Sequence, residues 1–346
     1  MSAAAYEPEV RAGDSLLSVR DLVVEFGGKG RPTFRAVDGV SFDVGPGQTI
    51  GLVGESGCGK SVTSLAIMGL LPARGNKVAG SATFDGTDLL TLDQREMSDR
   101  RGRDIAMIFQ DPLSSLNPVV PIGVQVAEVM QRHQGLKKAQ AMQESRLLLD
   151  RVGIPDPARR LKEYPHQLSG GMRQRALIAM ALACKPRLLI ADEPTTALDV
   201  TIQAQILEVL RELVVDSGTA LIMITHDLGV VAGLCDEVNV MYAGRIVESA
   251  SRHEIFARPE HPYTHGLLGS IPRLDGTRAG ALHAIPGSVA DNIPWTGGCA
   301  FAPRCTNATA ICREQSPALE ADPTGIPDHL LRCHHPILPG TDSTHE

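Results

Sequence analysis

One short stretch constrains the fold of this chain more than any other, because it matches the pattern G-x-x-x-x-G-K-S at Gly54–Ser61. It follows the apolar run Thr49–Val53 and precedes the helix-forming run Ser61–Leu71. A strand that ends in a glycine-rich loop before a helix presents backbone N–H groups and the positive helix end to a polyphosphate. We therefore predict a P-loop, in which Lys60 reaches the terminal phosphates and the Ser61 hydroxyl ligates Mg²⁺. The predicted nucleotide-binding residues are Gly54, Ser56, Gly57, Cys58, Gly59, Lys60, Ser61 and Val62.

The composition excludes several other classes of protein. The net charge of −7 and an aromatic content of 3% argue against nucleic-acid binding, which favours basic surfaces and stacking rings. The longest unbroken apolar run, Ala176–Cys184, is far shorter than the ~20 residues that a membrane-spanning helix needs. Residues 1–14 are small and polar, contain acids and have no apolar core, so they predict a flexible leader rather than a secretory signal.

A second apolar strand supplies the acids that a phosphate site needs. The run Leu188–Asp192 ends in an acid and is followed directly by Glu193. Asp192 at the end of a strand can hold Mg²⁺ through water, and Glu193 is then placed to polarise an attacking water. An acidic pair after a strand is, taken alone, more often a helix cap or a solvated turn. The P-loop in the same chain favours the functional interpretation.

A third segment, Ser169-Gly170-Gly171-Met172, precedes a long helix-forming run. A serine and two glycines at a helix N-terminus form another anion cradle. The chain therefore has two predicted phosphate-binding helix ends but one P-loop, which favours a second cradle that serves a nucleotide held by another subunit. An ordinary capped helix is the alternative.

The order of elements predicts an α/β fold, because apolar strands alternate with helices as in a parallel sheet covered on both faces. Strand composition also marks Leu16–Val24 and Val40–Val44, with Gly27–Arg35 predicted as the loop between them. We predict a core at 15–251 and, within it, a helical insert at about 111–185 in which the range 125–153 is mostly helix-forming. From about 252 the chain becomes rich in Pro, Gly and Cys, which predicts a separate small, irregular extension, 252–346.

These motifs, taken together and in order, resemble the ATP-binding subunits of ABC transporters. Two departures are Val62, where the family often has Thr, and Met172, where it often has Gln; neither removes a phosphate ligand. The matching positions are the P-loop at Gly54–Ser61, the Q-loop Gln110, the signature Leu168–Gly171, the strand Leu188–Asp192, Glu193, the D-loop Ala197–Asp199 and the switch His226.

The resemblance implies a P-loop ABC ATPase core, with a RecA-like sheet, an antiparallel β subdomain and a helical insert. Two ATP molecules would lie between two such subunits, and each would contact one P-loop and the partner's signature. The adenine-stacking aromatic would be Phe26, with Phe34 as a rival. The implied catalytic residues are Lys60, Gln110, Glu193 and His226, the implied Mg²⁺ ligands are Ser61, Gln110 and Asp192, and the implied contacts to the partner's ATP are Ser169, Gly170, Gly171, Met172 and Asp199.

Three further stretches are similar to the dipeptide/oligopeptide permease branch of that family: Phe109–Pro118, His261–Pro272 and the tail from Cys299 to His334. The resemblance implies an ATPase that energises peptide import from the cytoplasmic face of a prokaryotic cell membrane. Its expected partners are a second, homologous ATPase subunit, two transmembrane permease subunits and an extracytoplasmic peptide-binding protein. Import of another solute, such as a nickel chelate, a soluble ABC ATPase outside transport and a regulatory module that only binds ATP remain as alternatives.

Four late cysteines, Cys299, Cys305, Cys312 and Cys333, have gaps of five, six and twenty residues. Four thiolates can complete a zinc site or hold a [4Fe–4S] cluster, and the lack of short C-x₂₋₄-C pairs favours the larger cluster. Unliganded or disulfide-linked cysteines are the remaining alternative. The peptide-permease resemblance implies a [4Fe–4S] cluster, whose role could be that of a structural staple or of a redox sensor.

Overall fold

A computed structural model describes residues 15–28, 31–196, 198–270, 285–289 and 297–337. Its strands form two sheets. The predicted leader 1–14 lies outside these residues, as does Ala197 of the predicted D-loop. The strands are β1 (Leu17–Gly28), β2 (Arg31–Val44), β3 (Thr49–Val53), β4 (Asn76–Phe84), β5 (Thr87–Asp88), β6 (Ile105–Ile108), β7 (Leu188–Asp192), β8 (Ala220–Thr225), β9 (Glu237–Tyr242), β10 (Arg245–Ser251), β11 (Glu320–Ala321) and β12 (Leu330–Leu331).

The larger sheet has the strand order β11-β12-β10-β9-β3-β8-β7-β6 within the described residues. The strands from β9 to β6 run parallel, as the alternation of strands and helices predicts. Parallel neighbours need a crossover, and here helices supply it. The helices are α1 (Lys60–Ile67), α2 (Gln94–Arg100), α3 (Pro112–Ser115), α4 (Ile122–Gln134), α5 (Lys138–Arg151), α6 (Pro157–Arg160), α7 (Gly170–Leu182), α8 (Val200–Ser217), α9 (Leu228–Leu234), α10 (Arg252–Ala257), α11 (Pro262–Gly269) and α12 (Ala310–Glu314).

The smaller sheet is antiparallel and has the order β2-β1-β4-β5. The prediction of a loop at Gly27–Arg35 was wrong, because the strands continue through most of it and Phe26 pairs with Phe34. An ion pair between Arg35 and Glu25, 2.8 Å long, joins the same two strands. Cross-strand pairs of this kind outweigh the weak strand propensity of the local glycines.

The range 125–153, which the sequence predicts to be mostly helix-forming, is divided between the two helices α4 and α5. The division falls at Gly135, whose φ of +67° belongs to the left-handed region that ends helices. Helices α3 to α7 lie between β6 and β7, in the range where the sequence predicts the helical insert.

The two faces of the larger sheet bury alternate side chains, as the two-residue period of a strand requires. In β7, Leu188 and Ile190 pack with the smaller sheet and α1, whereas Leu189 and Ala191 pack with the helices of the opposite face. The carboxyl ends of β3 and β7 consequently meet at one edge of the sheet. No helix in the described part of the chain is long and apolar enough to span a membrane.

The sequence predicts a separate extension, but in the structure the extension is joined to the core. Its short strand β12 pairs antiparallel with β10 of the core, and β11 adds to β12, so the larger sheet crosses the predicted boundary at 251. Arg332 strengthens this junction, since its backbone N–H donates to the Val247 carbonyl at 2.8 Å. Backbone pairing of this kind leaves no signal in the amino-acid composition. The change in composition near residue 252 therefore suggested a domain boundary.

Candidate nucleotide-binding site

The predicted P-loop lies at the carboxyl end of β3, which is buried along its whole length. Gly54 has a φ of +151°, and a Cβ there would lie 2.3 Å from the Met241 carbonyl oxygen. Gly59 has a φ of +106°, and its Cβ would lie 2.5 Å from the Ala36 carbonyl oxygen. Both positions therefore need glycine for conformation and for space. The loop can turn its N–H groups toward one point only because these side chains are missing.

Lys60 begins α1 and is 5% exposed. Its ammonium group donates to the carbonyl oxygens of Gly54, at 2.7 Å, and Glu55, at 3.0 Å. The ammonium is thus held over the loop by two neutral acceptors and has no carboxylate partner there. Such a cation remains available to an anionic ligand.

Ser61 and Asp192, which the sequence predicts as Mg²⁺ ligands, are in direct contact. The Ser61 hydroxyl donates to Oδ1 of Asp192 at 2.9 Å. Burial raises the pKa of Asp192, and the Ser61 hydrogen bond offsets only part of that rise. A hydroxyl beside a buried carboxylate at the mouth of a phosphate loop offers the oxygen ligands that Mg²⁺ prefers.

Three side chains contact the Glu193 carboxylate, and two of them, Gln110 and His226, are predicted site residues. Its Oε2 accepts from Thr196 Oγ1 at 2.8 Å and from Gln110 Nε2 at 3.0 Å, and its Oε1 lies 3.2 Å from His226 Nδ1. The residue has a φ of +45°, and its N–H donates to the Ile224 carbonyl at 2.8 Å. Burial alone would raise the pKa of Glu193, but the contacts with Thr196 and His226 outweigh it and lower that pKa. These three contacts therefore fix the orientation of the Glu193 carboxylate.

A cavity of about 710 Å³ joins these groups. Phe26 and Phe34 both line it, so the two rivals for the adenine ring are cross-strand neighbours at one wall. The other lining residues are Ala36, Gly54, Glu55, Ser56, Gly57, Gly59, Lys60, Ser61, Val62, Gln110, Glu193, His226 and Leu267. The predicted Cys58 is fully buried beneath the loop instead, with Sγ 3.7 Å from Lys60 Nζ, and burial raises the pKa of its thiol.

The second predicted phosphate cradle is not part of this cavity. Ser169 caps α7 by accepting from the Met172 N–H at 3.3 Å, and Asp199 caps α8 by accepting from the Ile202 N–H at 3.0 Å. The two caps are neighbours, since a Cβ on Gly171 would lie 2.8 Å from Ile202 Cγ2. The structure therefore brings the predicted partner-facing residues together with one another, and none of them lines the cavity of their own chain.

Sequence reasoning missed three residues of the extension that reach the P-loop. Arg304, whose side chain is 5% exposed, forms a two-pronged ion pair with the Glu55 carboxylate at 2.8 and 3.0 Å. The Tyr263 hydroxyl accepts from the Glu55 N–H at 2.8 Å, and Leu267 lines the cavity. No spacing pattern could have found them, because Glu55 and Arg304 are 249 residues apart.

The four late cysteines border one cavity in the extension, together with His261. All four thiols are free, and burial raises the pKa of Cys333 to about 12. The buried His261 accepts from the Tyr263 N–H through Nδ1, while its Nε2 has no hydrogen-bond partner. The remaining cysteines at this cavity are Cys299, Cys305 and Cys312.

Comparison with known proteins agrees with this architecture. The ABC transporter family matches residues 37–196, and the family of the oligopeptide/dipeptide transporter C-terminal region matches residues 247–312. The dipeptide transport ATP-binding protein DppD of Bacillus subtilis is 53% identical and covers 94% of this chain and 98% of its own. The oligopeptide transport ATP-binding protein OppD of Salmonella typhimurium is 51% identical over 93% of this chain and 94% of its own. The chain belongs to the ATP-binding proteins of the oligopeptide/dipeptide ABC transporter family.

Solved structures of ABC cassettes share the fold of this family member. A bacterial ABC transporter cassette solved as a dimer is 26% identical, with a TM-score of 0.60, and covers 68% of this chain and 98% of its own. A subunit of the cbiONQ ABC transporter complex from Clostridium perfringens is 26% identical, with a TM-score of 0.59, over 71% of this chain and 92% of its own. The predicted ABC ATPase fold is confirmed by these matches.

Proposed function

We propose that this chain binds and hydrolyses ATP to energise the import of dipeptides or oligopeptides through an ABC transporter. One observation carries the proposal: the P-loop, the Glu193 carboxylate and the aromatic pair Phe26 and Phe34 border one cavity. The names of its relatives from Bacillus subtilis and Salmonella typhimurium support peptides as the cargo.

The chemistry that we propose is attack of water on the γ-phosphorus of ATP. The P-loop N–H groups and Lys60 bind the phosphate oxygens and stabilise the charge that develops there. Ser61, Asp192 and Gln110 would hold Mg²⁺, which would neutralise phosphate charge. Glu193 accepts the proton of the attacking water, the bond to the bridging oxygen breaks, and ADP leaves with that electron pair. His226, 3.2 Å from Glu193, orients the carboxylate and reaches the γ-phosphate.

A second ATPase subunit completes the site in this proposal. Ser169, Gly170, Gly171, Met172 and Asp199 would contact the ATP that the partner holds. Their position supports this role, because the caps of α7 and α8 are adjacent yet absent from the cavity of their own chain.

Two membrane subunits would dock beside Gln110. Three large apolar side chains around it are exposed: Phe109 at 38%, Leu113 at 64% and Val119 at 77%. Gln110 contacts Glu193, so a movement that depends on the nucleotide can pass from Glu193 through Gln110 to these apolar side chains and to a protein bound there. We place the chain on the cytoplasmic face of the cell membrane, where a transporter fed by an extracytoplasmic peptide-binding protein exposes its ATPases.

The four-cysteine cavity would hold a [4Fe–4S] cluster. The ligands for such a cluster are present, because four free thiols border one cavity. His261 lies beside them, and its Nε2 has no hydrogen-bond partner among the described residues and is free to donate to the cluster. A bound cluster would supply four thiolate bonds that order this segment, which makes a structural role the simplest one. Anaerobic purification should yield about four iron atoms and four sulfides per chain, lost in Cys305→Ser. Zinc or no metal would contradict the cluster and leave the ATPase proposal intact.

Replacement of Glu193 by Gln tests the ATPase directly. The change preserves the contacts with Thr196 and Gln110 in shape but removes the base, so turnover should fall about 10²–10⁴-fold. ATP binding, followed by fluorescence of a nucleotide analogue, should stay within about twofold because the P-loop is untouched. Glu208→Gln, on the exposed surface of α8, is the matched control and should keep full turnover. Unchanged hydrolysis in Glu193→Gln would refute the assigned base.

Peptide cargo needs a separate assay. Vesicles that contain the membrane subunits, this chain and the second ATPase subunit, with ATP inside and the peptide-binding protein outside, should accumulate labelled dipeptide. Glu193→Gln should abolish the uptake. Uptake of a nickel chelate in place of peptide would overturn the cargo while leaving the ATPase standing.

A further inference from the structure

A buried group of acids and one histidine lies where the extension joins the core. Glu260 follows α10, Asp322 follows β11, and His329 precedes β12. All three are buried, with 1%, 5% and 0% of their surface exposed. One ligand atom from each lies within 4.8 Å of the others, so the three side chains converge on one point.

A fourth acid, Glu248 on β10, fixes the histidine. Its carboxylate accepts from the N–H groups of Glu260, at 2.8 Å, and His261, at 3.1 Å. The same carboxylate lies 2.9 Å from His329 Nε2, which therefore carries the proton and donates it. An imidazole bound through Nε2–H to a carboxylate presents Nδ1 as a free lone pair, the arrangement that orients histidine ligands in metal sites.

Two of the three converging side chains, Glu260 and His329, carry buried atoms without a partner among the described residues. Both carboxylate oxygens of Glu260 and Nδ1 of His329 are buried without a hydrogen bond, although each side chain is at least nine-tenths buried. Buried polar atoms are nearly always satisfied, and an unpaired buried carboxylate is especially costly. These atoms therefore point to a bound species at their centre.

The charge balance calls for a cation. Glu248, Glu260 and Asp322 bring three carboxylates into one buried region, and among the described residues His329 is the one basic group that acts on Glu260. Asp322 is held in place by the N–H groups of Thr324 at 2.8 Å and Ile326 at 3.3 Å. A proton shared between the Glu260 and Asp322 carboxylates is the competing occupant of this space.

We propose that Glu260, Asp322 and His329 form a binding site for a divalent transition-metal ion of the zinc class. One imidazole nitrogen and two carboxylate oxygens are a common ligand set for Zn²⁺. Atoms bound at about 2.0–2.2 Å to one tetrahedral ion lie about 3.3–3.6 Å from each other. The three ligand atoms lie within 4.8 Å of one another, so they would close by up to about 1.5 Å around the ion. The ion would bind the extension to β10 through Glu248 and His329. The site is distinct from the four-cysteine cavity, and its ligands contain no sulfur.

Cobalt(II) separates the two sites by spectroscopy. The full-length chain, stripped of metal and free of nucleotide, is titrated with Co²⁺. Cobalt at the cysteines gives an intense near-ultraviolet band from thiolate charge transfer, whereas cobalt at nitrogen and oxygen gives only visible bands. We expect one equivalent of the second kind in the wild type, lost in Glu260→Gln and in Asp322→Asn. Glu237→Gln, a half-buried acid on β9 outside the group, is the matched control and should keep it.

Wild-type protein that binds no such cobalt would overturn the proposal, and Glu260 and Asp322 would then share a proton. Retention of the cobalt in both variants would overturn it equally. If the variants do not fold, ¹¹³Cd NMR of the wild type decides, since cadmium at one imidazole and two carboxylates resonates far upfield of cadmium at thiolates. A spectrum with only the thiolate signal refutes the site. None of these results bears on ATP hydrolysis, which is measured separately.

Discussion

The ion pair between Arg304 and Glu55 makes the strongest prediction, because it connects the far end of the chain to the P-loop. Arg304 donates to both oxygens of the Glu55 carboxylate and to the carbonyl oxygens of Pro286, at 2.7 Å, and Gly287, at 3.1 Å. We consider Arg304→Met, which keeps much of the side-chain length and removes every one of these hydrogen bonds. Glu55 and two carbonyl groups would then lose their donor.

The size of the effect follows from burial. Removal of one partner from a fully buried ion pair costs about 3–5 kcal/mol, because the other charge remains buried and unpaired. The Glu55 side chain is 26% exposed, so that water recovers part of its solvation. We therefore expect Arg304→Met to lower the free energy of unfolding by about 2–3 kcal/mol. The exposed pair Arg151–Asp216, with side chains 46% and 61% exposed, should contribute about 0–1 kcal/mol.

A double-mutant cycle measures the interaction itself. Urea unfolding of the wild type, Arg304→Met, Glu55→Gln and the double variant should give a coupling free energy of about 1.5–3 kcal/mol. The same cycle on Arg151 and Asp216 should give under about 1 kcal/mol. Because Glu55 belongs to the P-loop, the KM for MgATP should rise in Arg304→Met. A coupling as small as that of the exposed pair, with unchanged KM, would refute the idea that the extension holds the loop.

Four further substitutions test the same region. Gly54→Ala should abolish ATP binding in equilibrium titrations, because its Cβ would lie 2.3 Å from a carbonyl oxygen; an unchanged Kd would contradict the glycine argument. Tyr263→Phe should lower the free energy of unfolding by about 1–3 kcal/mol, since the Glu55 N–H loses its acceptor, and urea titration that finds no loss would disprove that role. Phe26→Ala and Phe34→Ala should each raise the Kd for ATP, and the variant whose Kd rises about tenfold or more identifies the stacking ring. A Kd equal to that of the wild type in both variants would exclude stacking at this wall.

The local part of the nucleotide site could be predicted from the sequence. The P-loop residues and the pair Asp192 and Glu193 each lie within a few positions of a strand end, so that a strand, a loop and a helix fix their geometry. The contact between Gln110 and Glu193 needs more, namely that β6 and β7 are neighbours, and only the resemblance to a family supplied that order. The positions of residues that depend on one local strand, loop and helix can be predicted from the sequence. Positions that depend on the order of strands in the sheet cannot.

The extension shows where local reasoning fails. Arg304 and Tyr263 reach the P-loop across the fold, and Glu260, Asp322 and His329 converge from three separate segments. Loop composition with many Pro and Gly residues predicts irregular backbone, and it says nothing about which buried charges such a backbone brings together. The error in the core has a local origin, because cross-strand pairs extended β1 and β2 through most of the predicted loop.

The pairing of β12 with β10 also fixes an order of events during synthesis. About 80 residues separate the end of β10 from the start of β12, and a ribosome adds about 5–20 residues per second. The edge of the sheet at β10 therefore waits roughly 4–16 s for its partner after it has emerged. Throughout that interval the nascent chain carries an open strand and the unshielded carboxylate of Glu248, while its P-loop is already synthesised. An open strand edge is prone to pair with other chains, so this is the stage at which a holding chaperone would most improve the yield of folded protein.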